Sequence, residues 1–481
     1  MPANVNRTFA PEILKSTFTD MKIKIVTLSL VVCFATTTPT KAVTLGAEEN
    51  STVNTSAPGD TLAPADDYKF RIGGYGEVMA RTMDYGLNRW TGTSNGSTRI
   101  NHGDISIPRF IIAMDYKFNK RWSLGAEIEF EAGGTGIEYE LETGSGSENG
   151  EYETEVEKGG EVALEQFHIT YTHARWLNIR AGHMIVPVGL TNSHHEPIFF
   201  FGTRRPEGET TLLPSTWHET GISVFGRVGS GLATFDYEAQ IVAGANPNGF
   251  DKYNWIQKGK QGYFETDNFT SPAYVLRVDW VGIQGLRLGG SMYYVANAGK
   301  NCDKLTTYKA YGAMPVFVWN LDGQYTGRFV TARANVLSGN IHNADIISSV
   351  NRRYSSASPY NRTPYVAKRA LTWSAEVGFN LHEVCSALNW TERMPVIYPF
   401  AHYEYYNPQE KGQSASSTMD ARCQVSLWQV GLNWKPLPNL VVKADYTTRQ
   451  IGTAKIFGKG LYNSENEWSI GVAYVGWFFK K

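Results

Sequence analysis

From Asp67 onward the chain alternates apolar and polar residues with a period of two, the spacing of a strand with one oily face and one wet face. In Trp122 to Glu131 one face carries Trp122, Leu124, Ala126, Ile128 and Phe130, and the other carries Ser123, Gly125, Glu127, Glu129 and Glu131. The dyad returns in Tyr274 to Trp280, where Tyr274, Leu276, Val278 and Trp280 alternate with Val275, Arg277 and Asp279, and again in Leu371 to Asn380. The alternation predicts sixteen such segments, beginning near Phe70, Ile107, Trp122, Val162, Leu177, Gly221, Leu232, Tyr274, Leu286, Pro315, Arg328, Leu371, Val396, Gln424, Leu440 and Glu467. Each is long enough for a tilted strand of roughly 9 to 11 residues across a membrane.

The connections divide into two kinds. Asn119–Arg121, Gly229–Gly231, Gly282–Gly285, Thr326–Gly327 and Pro436–Asn439 are tight, whereas Asp84–Asp104, Ala132–Glu161, Val188–Thr220, Ala245–Ala273 and Gly339–Ala370 are long. Short turns on one rim and long loops on the other describe a transmembrane antiparallel β-barrel of an outer membrane. A soluble sandwich also alternates, but two features favour lipid. Trp122, Trp176, Trp280, Trp434, Trp468 and Trp477 fall at strand ends, where an interfacial girdle is expected. The last strand places Trp468, Ile470, Val472, Tyr474 and Phe478 on one face, in the manner of a terminal signal read by barrel-assembly machinery.

Composition agrees. A 481-residue chain with 42% hydrophobic and 13% aromatic residues has material for a large core, and a net charge of -1 gives no basic excess for nucleic acid. Met21, Lys22, Lys24 and the apolar stretch from Ile25 to Ala35, followed by Thr40-Lys41-Ala42, read as a secretory signal with its start at Met21 and cleavage after Ala42. The expected organisation is a signal region over 1–42, a flexible periplasmic leader over 43–66 and the barrel over 67–481, placed in the cell outer membrane.

If the apolar face meets lipid, the other face lines a lumen. The registers put Arg71, Arg81, Arg109, Lys117, Arg180, Arg227, Arg277, Arg287, Arg333, Lys443 and Arg449 there, opposed by Glu77, Asp115, Glu127, Glu129, Glu131, Asp236, Glu238, Asp279, Glu376, Glu404 and Asp445. Such a balanced wall argues for water inside, since isolated charges are costly in a dry core. Each charge either pairs across strands or contributes to a field that sorts solutes. In the third long connection, three consecutive aromatics, Phe199, Phe200 and Phe201, suit a loop that folds back and packs on the inner wall. Arg204 and Arg205 then project into the narrowest section as a constriction; the alternative is that they satisfy carboxylates and loop carbonyls. His194-His195-Glu196 is a weak metal motif, because adjacent side chains rarely converge on one ion, and no metal or cofactor is expected. The second long loop carries nine Glu between Glu138 and Glu161 against Lys158, either a solvated surface or a cation-bridged contact with lipopolysaccharide. Cys302 and Cys423 both fall near the long-loop rim and Cys385 near the opposite one, which leaves a 302–423 disulfide or bystander cysteines.

The run Leu164-Glu165-Gln166-Phe167 to Arg180-Ala181-Gly182, then Pro187-Val188-Gly189, Arg204-Arg205-Pro206 and Pro214 with Trp217-His218-Glu219-Thr220-Gly221-Ile222, resembles the phosphate-selective porin O and P family of Gram-negative outer membranes. The resemblance covers roughly residues 67–481. It implies a sixteen-stranded barrel, a homotrimer and a third loop folded inward, with arginines and a lysine cluster carrying the anion. Arg180, Arg204 and Arg205 fall in or beside the matching motifs, but Lys117 and Lys443 are the only lysines on the expected lumen face, so no lysine cluster matches.

The function expected is a passive channel for small hydrophilic solutes or anions. A sugar-selective variant would use Tyr75, Tyr293 and Tyr406, which point inward and are either stacking surfaces or wall packing. An outer-membrane hydrolase would draw on His168, His402 and Glu404, with no serine in a recognisable motif beside them. A surface adhesin would have a plugged lumen.

Overall fold

The computed structural model of the chain describes residues 68–85, 100–132, 138–141, 152–155, 160–214, 216–261, 267–302, 312–353, 365–390, 394–414, 417, 419–452 and 464–481. Its strands are β1 (Phe70–Tyr85), β2 (Ile100–Lys117), β3 (Trp122–Glu131), β4 (Glu138–Leu141), β5 (Tyr152–Glu155), β6 (Glu161–Ala174), β7 (Leu177–Ile185), β8 (His218–Ser230) and β9 (Ala233–Val242). They continue as β10 (Ala273–Ile283), β11 (Leu286–Val295), β12 (Val316–Thr326), β13 (Val330–Ile341), β14 (Arg369–Phe379), β15 (Ile397–Lys411), β16 (Val425–Leu437), β17 (Leu440–Ile451) and β18 (Ser464–Lys480). Sixteen strands close into one barrel, β1 pairing with β18, while β4 and β5 form a separate hairpin. Every barrel pairing is antiparallel, which is the fold class the alternation predicts. The expected signal region and leader lie outside the described residues.

The alternation works as expected because a closed barrel satisfies its backbone internally, leaving side-chain parity alone to decide what faces out. In β10, Tyr274, Leu276 and Val278 are exposed on the outer face, while Val275, Arg277 and Asp279 are buried inward. On β16, Trp428, Val430, Leu432 and Trp434 face out, and on β18 so do Trp468, Ile470, Val472 and Phe478.

Departures from the expected layout have local causes. The ends of the expected loop 84–104 are ribbon, and its residues 86–99 lie outside the described ones: β1 and β2 stay paired to Tyr85↔Ile100, with Arg81 Nε 2.8 Å from Asp104 Oδ1. The polar run Asn101-His102-Gly103-Asp104 reads as a loop because strict alternation is unnecessary beyond an oily belt. The connection from β14 to β15 is not a tight turn but contains the helix Leu381–Ala387, which holds Cys385. Trp477 leaves the expected girdle. It shares the parity of the inward Ser469, Ala473 and Val475 and lies 3.8 Å from the Arg71 guanidinium, and the pairing skips Phe478, from Ile72↔Phe479 to Gly73↔Trp477, so that Phe478 and Phe479 both face out. In β6 the pairing passes from Glu127↔Gln166 to Ile128↔Leu164, so Glu165 is the extra residue of a bulge. Val162 faces out before it and Phe167 and Ile169 after it, and Glu165 and Gln166 both point inward.

Candidate functional site

The connection between β7 and β8 is held from within by one carboxylate. Glu209, on the short helix Glu207–Leu212, accepts the backbone N–H groups of Thr191 at 3.0 Å and Asn192 at 2.6 Å, and the Asn335 side chain of β13 at 2.7 Å. Its carboxylate fills the place a Cβ at residue 189 would occupy, and Gly189 has a φ of 95°, so glycine is required there on two counts. Burial pushes the Glu209 carboxyl up to about 7, against the downward pull of the Thr191 and Asn192 amides. The Asn192 side chain donates to Val186 O (2.6 Å) and accepts Trp217 N–H (2.7 Å), joining the two ends of the connection. Leu212, Leu213 and Trp217 then join a buried apolar cluster with Val275, Tyr293, Val318 and Leu337 of β10–β13.

Two of the three phenylalanines pack against the opposite arc, while Phe199 meets His194 edge-on at 5.8 Å. Phe201 stacks on Phe400 of β15 at 5.4 Å, and Phe200 lies under the Lys443 ammonium at 4.1 Å. Lys443 donates to the carbonyls of Phe200 (2.7 Å) and Gly202 (2.8 Å), and Arg333 donates to that of Phe199 (2.5 Å). Thr203 N–H donates to Asp445 (2.7 Å), and Glu404 accepts the N–H groups of Glu207 and Gly208 at 2.8 and 2.7 Å. These wall charges thus serve as partners for irregular backbone that would otherwise be buried without any.

The two expected constriction arginines part company. Arg204 is 41% exposed, with Nη1 3.8 Å from Glu467 and 4.0 Å from Glu207. Arg205 is buried and does not project: its guanidinium donates to His195 O (3.1 Å), Thr216 Oγ1 (3.2 Å) and Tyr75 OH (3.4 Å). The alternative role, satisfying the loop's own acceptors, is the one Arg205 takes.

Beside Arg204 a small cavity of about 20 Å³ lies between residues 200–207 and the inner faces of β14–β18. Glu376, His402, Glu404, Gln429, Thr447, Arg449 and Glu467 supply its polar wall. Arg449 Nη1 is 2.9 Å from Glu467, and Arg449 Nε donates to Glu207 at 2.7 Å; His402 stands 3.5 Å from both Glu376 and Glu404. The alternation starts the last strand near Glu467; because β18 begins at Ser464, Glu465 and Glu467 extend the inward face marked by Ser469.

Most other expected lumen charges pair with one another. Arg71 meets Asp115 at 2.5 Å, Arg109 meets Glu77 at 3.2 Å and Arg227 meets Asp236 at 2.5 Å. Arg277 is fully buried between Asp279 (2.8 Å) and Asp322 (2.9 Å), Arg333 lies 3.4 Å from Glu376, and Arg180 sits over the Phe225 ring at 4.6 Å. Glu127 accepts from Gln166 at 2.5 Å, and Glu129 lies near Glu165 and Arg109. The expectation of only two lumen lysines missed Lys435, which shares the inner face of β16 with Asn433 and lies 5.3 Å from the Tyr398 ring.

Tyr75, Tyr293 and Tyr406 face inward but serve as packing and hydrogen-bonding groups. Tyr75 OH accepts from Arg205, Tyr293 OH accepts Ala245 N–H at 2.9 Å, and Tyr406 OH donates to Glu207 at 3.1 Å. Of the hydrolase candidates His402 and Glu404 come together, 3.5 Å apart in the cavity wall, but His168 is on β6, nearly opposite β15 in the ring, and no described lining residue of the cavity is Ser or Cys. Cys302 and Cys423 form no disulfide; the Cys302 thiol donates to Gly299 O at 3.0 Å, and burial pushes the Cys423 thiol up to about 12.

No protein-family model matches the sequence. An uncharacterised protein of Aquifex aeolicus is 27% identical over 380 residues, 78% of this chain and 74% of its own. Among solved structures, OmpF of Salmonella typhi in complex with daunomycin aligns at 10% identity over 85% of this chain and 98% of its own, with a TM-score of 0.48. The outer membrane channel DcaP of Acinetobacter baumannii aligns at 10% identity over 84% and 96%, with a TM-score of 0.46. An anion-selective porin from Comamonas acidovorans aligns at 10% identity over 84% and 99%, with a TM-score of 0.45. The resemblance to phosphate-selective porins is not established by any of these.

Proposed function

We propose that the chain is an outer-membrane porin, a passive diffusion channel for small hydrophilic solutes, in which the β7–β8 connection narrows the bore. The observation that carries this reading is the charged cavity between that connection and β14–β18, inside a barrel whose outward face is apolar. Such a cavity is expensive to build in a dry core and useful only if wet.

The anion or phosphate preference implied by the family resemblance rests on Arg204. Around it the lining offers Glu207, Glu376, Glu404 and Glu467 against Arg204, Arg205 and Arg449, a mixture that favours weak selectivity. The proposal includes export by a cleaved signal, insertion through the barrel-assembly machinery beside lipopolysaccharide, and assembly as the homotrimer of the resembling family.

Planar-bilayer recording on the purified chain, with a salt gradient and a phosphate titration, tests this reading. Stable open steps with a small reversal potential are expected. Saturable phosphate block that disappears in Arg204→Ala would establish the narrower, phosphate-selective reading, and a folded barrel without conductance would overturn the channel and favour a plugged adhesin.

A further inference from the structure

A second cluster of polar side chains lies away from that cavity, where the β7–β8 connection meets β3 and β6. Glu127 of β3, Glu165 of β6 and His195 of the connection each offer one ligand atom, all within 4.8 Å of one another, and all three residues are buried. Glu165 has no accessible surface and His195 has 1%. No N–H or hydroxyl group among the described residues donates to either Glu165 oxygen, the Glu129 carboxyl lies within hydrogen-bonding reach of it, and His195 Nε2 has no partner. The other imidazole nitrogen, Nδ1, is 3.2 Å from Asn192 O. A backbone carbonyl is only an acceptor, so this contact places the ring proton on Nδ1 and leaves the Nε2 lone pair directed at the carboxylates, which is how a metal-ligating histidine is usually held.

The local charge points the same way. Glu129 adds a third carboxylate beside Glu165. The nearby cations, whose charge also reaches Glu129, have other direct partners: Arg109 lies 3.2 Å from Glu77, and Arg205 donates to the His195 carbonyl and to Thr216. The β6 bulge is what turns Glu165 inward next to Gln166, so the strand departs from regular pairing at the residue that supplies a ligand.

We propose that Glu127, Glu165 and His195 bind a divalent first-row transition ion, of which zinc is the representative probe. Two carboxylates neutralise a dication, and one imidazole favours such an ion over calcium or magnesium, which prefer all-oxygen shells. Three protein ligands leave a fourth position for water. The site fastens the middle of the β7–β8 connection to the wall at β3 and β6. His194 takes no part: its Nε2 accepts from Arg287 at 2.9 Å, so neighbouring histidines point to different partners. The inference stands on these side chains and does not depend on the channel reading.

The test uses the full chain in detergent, stripped with a chelator and titrated with zinc alone by calorimetry, then with cobalt alone by visible absorption. One tight equivalent per chain is expected, together with cobalt d–d bands of mixed nitrogen and oxygen ligation. Glu165→Gln and His195→Ala should each weaken zinc binding at least tenfold, while His194→Ala leaves it unchanged. The absence of a tight equivalent, or one that survives both Glu165→Gln and His195→Ala, overturns the proposal. The cobalt spectrum of the unaltered protein keeps the test decisive if a variant fails to fold: with no ligand-field bands, the site is not there.

Discussion

The two arcs of the barrel interior are built on different principles. Along β10–β13 the wall is dry: Arg277 is enclosed by Asp279 and Asp322, and Val275, Tyr293, Val318 and Leu337 pack on Leu212, Leu213 and Trp217. Along β14–β18 the same connection touches the wall through carbonyls and amides, held by Lys443, Asp445 and Glu404, and a polar cavity remains beside it. One segment thus sinks its aliphatic and indole side chains into one arc, with polar ties from Asn335, Arg333 and Arg287 beside them, and leaves a polar cavity against the other. The contrast shows how the connection is anchored: hydrophobic burial and hydrogen bonds together fix it on one arc, and backbone hydrogen bonds to wall charges, with Phe201 on Phe400, position it on the other.

The largest test of this contrast is to remove the charge at the centre of the dry arc. Arg277→Ala leaves Asp279 and Asp322 buried without a counter-ion, and should cost about 3–5 kcal/mol in urea unfolding. Arg204→Ala, at an exposed position, should stay within about 0.5 kcal/mol. Equal losses would erase the distinction between the arcs. Next in size is Leu212→Ala, which opens a hole in the apolar seam and should cost about 2–5 kcal/mol while leaving the lining of the cavity intact.

A smaller, local effect is expected from pH. Glu209 keeps its proton up to about pH 7 in the anchored connection. When the connection is released, the carboxyl returns to its ordinary value of about 4.3. Between these limits the anchored form binds more protons than the released one, so anchoring weakens as pH rises through that window. Hydrogen-exchange protection of the Thr191 and Asn192 amides, corrected for intrinsic exchange, should be higher at pH 5 than at pH 8. Glu209→Gln should flatten the dependence.

The smallest effect lies outside the barrel wall. Lys252 and Arg422 hydrogen-bond Asp420 at 2.5 and 2.7 Å. Burial alone would raise the Asp420 carboxyl, but these hydrogen bonds hold it well below the usual carboxylate range. Its contribution is present above the ordinary value of about 3.9 and is lost only as pH falls through the lowered one. Solvent screening limits Asp420→Asn to about 0.2–1 kcal/mol, measured by thermal unfolding at pH 7.

Much of this architecture is legible in the sequence because a barrel wall imposes one rule on every strand. Tyr274 to Trp280 announces its two faces, and the paired charges Arg227 and Asp236 fall inward by parity alone. Legibility ends where a single residue breaks the count. The bulge at Glu165 reverses parity within β6, and the skip at Phe478 brings Phe479 to the outer face beside it. It ends again in the β7–β8 connection, where adjacent residues diverge. Arg204 and Arg205 are chemically identical and both border the cavity, yet one stays exposed beside Glu467 while the other is buried on the loop's own acceptors. His194 and His195 separate in the same way, toward Arg287 and toward Glu127 with Glu165. No one-dimensional period encodes which side of an irregular turn a side chain will take.

The pairing of β1 with β18 has a consequence for how the molecule is made. The seam joins the first strand of the barrel to the last, and Lys69 and Phe70 donate their backbone N–H groups to the carbonyl of Lys481. Until β18 has been synthesised, β1 has an unpaired edge that no earlier strand completes, and that edge is a template for association with other chains. Closure is therefore a late event with the longest sequence separation in the fold, which makes it intrinsically slow. The nascent chain has to be kept from pairing wrongly during the whole of its translation, and trimming the final strand would leave an open, aggregation-prone sheet rather than a slightly smaller barrel.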